Sequence, residues 1–479
     1  METSALNTVH FETLGCKLNQ VESEGIAKSF SDLSFCVDFE PMTAASDERA
    51  DVVLCVVNTC TVTAKAEQKA RRIIRLLLKK CPRSLVIVTG CYAQVSADEI
   101  KSIDSRVFVL GGQKKSALSK IPALVSDISE KEKISSILKG FFDDLEKNPD
   151  GKILEPFALS TSSFFNHSRA SLKIQDGCNA RCTYCKIQIA RGSSVSLLAN
   201  EAISRLRSLE KAGYAEAVIT TVNISQYHSF VKNADGTKIP VNFTDLLKMM
   251  LESTEKISIR ISSLYPEIVD ERFAKIAENP RVRPHFHISV QSGSDAILEK
   301  MKRPYRIDAV KNAVSLLKKA KGDPFLACDI IAGFPGETDA DFDLTMKMLE
   351  ECGFTFVHAF PFSARPGTEA FSMRPCVPSN VAKNRVERLE EFSARQKKSY
   401  IERFVGKEIE AVAESWHRAK VYRDRVIVHA VTENFLHCQI LLKNGERVPE
   451  AGKTVRVKIE RPLLLSEKTG ESDTKAVLL

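Results

Sequence analysis

No apolar run in this 479-residue chain approaches the roughly 20 residues that cross a bilayer. Its opening stretch, METSALNTVHFETLGC, has neither a basic n-region nor an apolar h-region, so no secretory signal is expected. Both absences point to a cytoplasmic protein in a reducing compartment, with no membrane partner. There the 13 cysteines are expected to be ligands or free thiols, not disulfides. Charge of one sign is not in large excess: the formal net charge of +8 is compatible with a nucleic-acid partner without requiring one. What is present is the balance of a soluble globular protein, 43% hydrophobic and 27% charged, with length enough for three domains.

One stretch concentrates thiols. Asp176–Gly192 reads DGCNARCTYCKIQIARG, which spaces Cys178, Cys182 and Cys185 as CxxxCxxC. Thiolates are the soft ligands of iron–sulfur clusters, and three this close together can converge on one small metal body. A four-iron cluster held by three thiolates keeps one iron open to another ligand. Structural zinc takes four closed ligands. No fourth Cys or His stands nearby; the nearest upstream, His167, precedes the strand that feeds the loop.

Residues 5–115 alternate strands and helices. Strands are expected over Asp51–Asn58, Ser84–Gly90 and Arg106–Leu110, with a helix over Thr63–Cys81. The fold class is α/β, beginning with a doubly wound parallel sheet. Cys16, Cys60 and Cys91 each follow the carboxyl end of an expected strand, the edge where such sheets bind ligands. Three residues far apart in sequence can therefore meet at one point. Cys36, Cys55 and Cys81 lack that placement and read as structural, and all six could still be small buried hydrophobes. Arg71, Arg72, Arg75, Lys79 and Lys80 form the polar side of the helix, either a solvated face or a phosphate contact. Residues 116–165 rise in charge and in Ser, Asn, Pro and Gly, and read as a connector.

Residues 166–395 carry six expected strands: Ala170–Gln175, Glu216–Thr221, Ile257–Ser262, His285–Val290, Phe325–Ala332 and Phe354–Pro361. Helical patterns lie between them, which predicts parallel strands with right-handed crossovers, in a barrel whose sites are built from loops at the carboxyl ends of its strands. The cysteine loop follows its first strand. Arg260 suits bidentate pairing with a ligand carboxylate or, equally, a structural ion pair at a strand end. Gly333 and Gly336 allow close backbone approach to a ligand. Residues 403–466 show short strands and a hairpin signal at Asn444–Gly445, as for a small C-terminal β-barrel. Ten Lys or Arg stand against five acids between His417 and Arg461, with Tyr422 and Phe435 nearby, which suits an RNA backbone. The tail beyond Leu465 reads as disordered.

The CxxxCxxC loop, with Tyr184 between its last two cysteines, resembles the signature of radical S-adenosylmethionine enzymes. TLGCKLNQVESE, NTCTVT and TGCYAQ resemble the three cysteine motifs of the methylthiotransferase N-terminal domain, and the C-terminal segment resembles the TRAM domain. These resemblances cover almost the whole chain, and they imply that residues 166–395 form a partial six-stranded (β/α) radical-SAM barrel, open along one side. They imply two 4Fe–4S clusters, on Cys16, Cys60 and Cys91 and on Cys178, Cys182 and Cys185, the latter triad catalytic. They imply S-adenosyl-L-methionine near Asn223, Arg260, Gln291, Ser292, Gly333 and Gly336. MKRPY, residues 301–305, also matches the family. TLGCKLN, KIQDGC and RISSLYP are most similar to the subgroup that 2-methylthiolates N6-threonylcarbamoyladenosine beside the tRNA anticodon. The implied partners are a tRNA anticodon stem-loop, a flavodoxin- or ferredoxin-like reductant and a sulfur donor. Alternatives are the isopentenyladenosine or ribosomal-protein substrates, or a non-catalytic RNA-binding member. The chain departs from the family at Lys186 and Gln188 in KIQIARG, at Thr221 where Gly is usual, and at Ser193 and Ser194. Lys186 is the candidate cation for the substrate carboxylate.

Overall fold

The computed structural model describes residues 8–126, 128, 131–147, 155–232, 235–414, 420–422, 425–442, 446–467 and 471–479. The chain divides into two compact units. One takes Met1–Phe165, Asp176–Ala180 and Cys185–Val195; the other takes Asn166–Gln175, Arg181–Tyr184 and Ser196–Leu479.

In the first unit, β1 (Thr8–Thr13), β2 (Cys36–Asp38), β3 (Val52–Thr59), β4 (Leu85–Gly90) and β5 (Val107–Val109) form one sheet in the order β2-β1-β3-β4-β5. Every pairing is parallel. The order reverses between β1 and β3, which makes a doubly wound sheet with its ligand edge there. All of β3, VVLCVVNT, is buried, because helices cover both faces and no polar alternation is needed. Leu54 and Val56 pack with Ile26 and Phe30 of α1 (Lys17–Ser31) on one side. Cys55 and Val57 pack with Ile74 and Leu77 of α2 (Ala64–Lys80) on the other. Each such aliphatic side chain contributes about 1.5–3 kcal/mol by leaving water. Thr63 sets the start of α2, its hydroxyl accepting from the Ala66 N–H at 3.2 Å. The structural reading of Cys55 and Cys81 agrees with their burial in the α2-side core, whereas Cys36 is exposed on the edge strand.

The stretch expected as a connector does more than connect. Leu118, Ile121 and Val125, with Ile134, Leu138 and Phe142 of the helix Lys131–Lys147, complete the core on the α1 side. Its many charges occupy the outer face of an amphipathic layer, which composition alone does not separate from a linker.

In the second unit, β6 (Ala170–Lys173), β7 (Glu216–Thr220) and β8 (Ser258–Ile261) pair in parallel, as do β9 (His285–Gln291), β10 (Phe325–Ala332) and β11 (Phe356–Pro361). Leu264, just past β8, joins the two sheets. Its N–H reaches the His287 carbonyl at 2.7 Å and its carbonyl accepts from Ser289 at 2.9 Å. The result is six parallel strands in chain order, with no pairing of β6 to β11 among the described residues. The parallel strands are those that the alternation predicts, and the open, partial barrel is the one that the family resemblance implies.

The same unit ends in a closed barrel of β12 (Glu408–Ala413), β13 (Arg425–Thr432), β14 (His437–Leu441), β15 (Thr454–Pro462) and β16 (Thr474–Leu478). β12 pairs with both β13 and β15, while β16 bridges β15 and β14, so the ring has no open edge. The tail expected to be disordered therefore supplies the closing strand; its alternating Thr474, Ala476 and Leu478 were too short a pattern to outweigh the polar flank. The Asn444–Gly445 turn lies outside the described residues. Phe435, expected on an RNA-facing surface, is instead half-buried, stacked on His285 at 3.9 Å and against Phe325 at 5.9 Å. A large apolar ring gains more from that core than from water. No helix among the described residues is long and apolar enough to cross a membrane.

Candidate functional site

In the first unit the carboxyl ends of β1, β3 and β4 lead into the three cysteine motifs. These strands are consecutive in the sheet, and β3 and β4 end in register, Thr59 opposite Gly90. Cys16 caps α1, Cys60 follows β3, and Cys91 begins the short helix Cys91–Val95. A Cβ at Gly15 would lie 2.6 Å from Cys60 Cβ and 3.0 Å from its sulfur, so the first and second motifs touch. Gly90 has φ +96°, and a Cβ there would stand 2.4 Å from the Thr59 carbonyl oxygen. Only glycine allows the second and third motifs so close together.

Cys60 and Cys91 are buried and Cys16 is exposed. Burial pushes the Cys60 thiol up to about 11, helped by the nearby Cys91 and Cys16, while the Val62 N–H and Arg191 oppose it. Burial also raises Cys91, against the pull of Arg191 and Lys115. Two cations thus stand where thiolate charge would develop.

Neither cation was assigned a role from the sequence. Arg191 follows the CxxxCxxC motif, in the helix Ile187–Arg191 that packs on Cys91–Val95. Its Nη1 bonds Asp176 at 2.8 Å and Glu22 at 3.2 Å. Its Nη2 reaches Asn19 Oδ1 at 2.6 Å and stands 4.0 Å from Cys16 Sγ. Lys115 pairs with the other side of Glu22. Burial works against the Arg191 charge, but Asp176 and Glu22 overcome it and hold the guanidinium firmly protonated. Asn19 ties the loop down, donating to the Leu14 carbonyl at 2.8 Å and the Thr59 carbonyl at 3.0 Å. Asn19 and Glu22 were visible as the polar letters of TLGCKLNQVESE, but their partner lies some 170 residues away.

Around the CxxxCxxC loop, Cys178 Sγ accepts from the Ala180 N–H and Cys185 Sγ from the Ile187 N–H, each at 3.4 Å. In the second unit Cys182 Sγ accepts from Arg303 Nη1 at 3.2 Å. Among the described residues, no group of three or more His, Cys, Asp or Glu closes tightly enough for a single metal ion. The donors are cysteine sulfurs at separate strand ends and loop positions. That set fits iron–sulfur clusters, whose irons take one thiolate each. Gln188 is exposed, at a helix position where the amide has no intrahelical partner anyway, so the missing Pro costs no hydrogen bond.

The other expected cofactor residues separate. Asn223 is buried beyond β7, its amide N–H held by Gln175 Oε1 at 2.9 Å and its side chain capping Ser225. Gln175 also holds the Val222 N–H at 3.0 Å, and Thr221 Oγ1 is buried without a hydrogen-bond partner. Gln291 ends β9 at φ +72°, and Ser292 beside it is buried. Gly336 donates its N–H to the Pro375 carbonyl at 2.8 Å. Gly333 is small for another reason than cofactor approach: a Cβ there would meet Ala382 Cβ at 2.5 Å. Arg260 takes the second of its two readings. Its Nε and Nη2 bond both oxygens of Glu216 at 2.7 and 2.8 Å, and Nη2 also bonds the Thr432 carbonyl at 3.1 Å. Glu216 begins β7, at the end of the barrel opposite to the cysteine loop, with Arg283 at 3.1 Å and Arg169 at 3.6 Å. Burial raises the Glu216 carboxyl, but these guanidiniums more than reverse it and bring it down to about 2. Burial lowers Arg260 in turn, and the like charges of Arg169 and Arg283 add to that.

Residues 172–349 match the radical SAM superfamily, and residues 8–111 match a family described as uncharacterized protein family UPF0004. The threonylcarbamoyladenosine tRNA methylthiotransferase MtaB of Treponema pallidum is 40% identical over 94% of this chain and 98% of its own. The protein of that name from Thermotoga maritima is 34% identical over 87% of this chain and 88% of its own. Among solved structures, the radical S-adenosylmethionine methyltransferase TsrM of Kitasatospora setae, with cobalamin and a [4Fe-4S] cluster bound, aligns with a TM-score of 0.48. It is 14% identical and covers 76% of this chain and 77% of its own.

Proposed function

The chain belongs to the radical S-adenosylmethionine methylthiotransferase family, and from that membership we propose that it adds a methylthio group to C2 of N6-threonylcarbamoyladenosine, 3′ of the anticodon in tRNA. The observation that supports this most is the pairing of two thiol triplets, one at three strand ends and one in a single loop, in a chain that matches relatives of that name over nearly its full length.

In this reading Cys16, Cys60 and Cys91 hold one 4Fe–4S cluster, and Cys178, Cys182 and Cys185 hold the other. A cluster held by Cys178, Cys182 and Cys185 would supply the one-electron reduction that cleaves S-adenosylmethionine, and one held by Cys16, Cys60 and Cys91 would supply the sulfur destined for the base. The protein's own part is electrostatic and positional. Arg191 and Lys115 offset thiolate charge in a buried place, where an uncompensated anion is costly. Gln175 fixes the backbone beyond β7 through two N–H bonds. Lys186, half-buried at the head of its helix, is the cation assigned to the carboxylate of the threonyl group.

The C-terminal barrel is the RNA-binding part. Arg447, Lys453, Arg456 and Lys458 are exposed on it, and a cavity of about 730 Å³ opens between the first three. Glu408 meets Arg456 at 3.0 Å and neutralises part of that face, which leaves a moderate phosphate-binding surface. The reaction belongs in the cytoplasm, with a flavodoxin- or ferredoxin-like electron donor and a separate sulfur donor. Nucleoside analysis of tRNA from a deletion strain is the test. Loss of 2-methylthio-N6-threonylcarbamoyladenosine with retention of the unthiolated nucleoside is expected; an unchanged level overturns the assignment.

A further inference from the structure

Arg303 is a buried cation that directs one of its N–H groups at a cysteine sulfur. It follows the short helix Asp295–Lys300 and is 6% exposed. Nη1 lies 3.2 Å from Cys182 Sγ, Nε donates to Tyr305 Oη at 2.8 Å, and Nη2 reaches the Ser289 carbonyl at 3.5 Å. The guanidinium carbon stands 4.7 Å from the Tyr265 ring centroid and 4.9 Å from that of Tyr305. Tyr305 is itself pinned, its hydroxyl donating to the Ser289 carbonyl. Among the described residues Arg303 has no carboxylate within ion-pair distance. The rings and the carbonyl carry no full charge, and the carboxylates of Glu267 and Asp329 act on the guanidinium only from beyond ion-pair distance, so the Cys182 sulfur is the cysteine atom its N–H directly engages.

We propose that Arg303 is a positioning residue for the CxxxCxxC loop, where its N–H bond to Cys182 sulfur fixes that ligand and raises the reduction potential of the cluster the loop holds. A charge-assisted bond to a cluster sulfur and a fixed positive charge nearby both favour the state carrying one more electron. Outer partners of metal ligands act in this way. The planar fork matters as much as the charge. Three nitrogens take three separate acceptors while the plane lies on two rings, a pattern an ammonium cannot reproduce.

The test uses anaerobically reconstituted full-length protein and the variants Arg303→Met and Arg303→Lys. The cluster's midpoint potential is read by EPR on samples poised at known potentials, without S-adenosylmethionine. Iron content and S-adenosylmethionine affinity, by equilibrium dialysis on the oxidised protein, are measured alongside. Arg303→Met should keep its iron and its S-adenosylmethionine affinity. Its reduced-to-oxidised ratio at a fixed potential should fall about tenfold, which for a one-electron couple is about 59 mV. Arg303→Lys, which keeps charge without the fork, should recover part of the shift. An unmoved potential with intact iron overturns the proposal. So does a fall in S-adenosylmethionine affinity at constant potential, which would make Arg303 a cofactor ligand. Where Arg303→Met loses iron, Arg303→Lys decides, and iron loss there with normal melting also counts against tuning. The inference rests on the cluster reading of this loop. A wild-type protein without an EPR-active cluster would end that reading, whereas an unshifted variant ends only this one.

Discussion

Replacing Arg191 with Met tests the buried charge network of the first unit. The side chain keeps most of its volume and loses its charge. The guanidinium now makes bonds of 2.8 Å to Asp176, 3.2 Å to Glu22 and 2.6 Å to Asn19. Without it Glu22 retains Lys115, and Asp176 gives up a 2.8 Å ion pair made in a buried place. Removing one member of such a pair costs about 3–5 kcal/mol. A unit of this size loses roughly 2–4 °C in melting temperature per kcal/mol, so the first anaerobic melting transition should fall by roughly 6–20 °C. Arg191→Met plus Asp176→Asn should recover part of the loss, since the buried carboxylate that faced the guanidinium is neutral too, with a coupling of about 0.5–3 kcal/mol. Because Arg191 also stands 4.0 Å from Cys16 Sγ, iron bound by the N-terminal triad should drop in the same variant. A single variant that melts within about 2 °C of wild type and keeps its full iron would refute the reasoning.

Gly90→Ala should cost about 1–3 kcal/mol for the backbone conformation alone, more once the Cβ meets the Thr59 carbonyl at 2.4 Å. Urea denaturation and iron content should both show it, and an unchanged midpoint would contradict the close approach of the second and third motifs. Glu216 supplies a pH signature. Its folded value is about 2 against an ordinary 4.5, so its contribution of roughly 3 kcal/mol is fully present above pH 4.5 and is lost as pH falls toward 2. Glu216→Gln should flatten that part of the apoprotein's pH–stability curve, and it should destabilise at neutral pH by taking the carboxylate from the buried Arg260, while Arg283 keeps Glu410 and Glu433. The same slope in both proteins would remove Glu216 as the cause. Cys182→Ala should abolish 5′-deoxyadenosine release and largely spare tRNA binding, measured by filter retention. Continued release from that variant would detach the radical chemistry from the loop.

Much of this architecture can be read from residue order, for physical reasons. Runs such as DVVLCVVN and SLVIVTG are apolar throughout because helices bury both faces of the sheet, and the observed strands fall within a residue or two of the expected ones. The shared placement of Cys16, Cys60 and Cys91 past three strand ends was legible because a parallel sheet puts those ends on one edge. What stayed hidden depends on pairings across long chain distances. Arg191 with Glu22, Arg303 with Cys182, and Arg260 with Glu216 follow from no local pattern. Arg303 lay in plain view within MKRPY, yet nothing near it in sequence names a sulfur as its partner. Phe435 was misplaced for a similar reason. An aromatic residue in a basic segment looks like an RNA contact until its stacking on His285 is known. The closing strand Thr474–Leu478 is marginal alone and is fixed only by the two strands it joins.

The most direct test of the two-centre account is iron and sulfide quantitation, per chain, on anaerobically reconstituted protein. Wild type is compared with a variant lacking Cys16, Cys60 and Cys91 and one lacking Cys178, Cys182 and Cys185. The account predicts two four-iron clusters in wild type and one in each variant, with no zinc. A single cluster in wild type, or stoichiometric zinc in place of either, would contradict it.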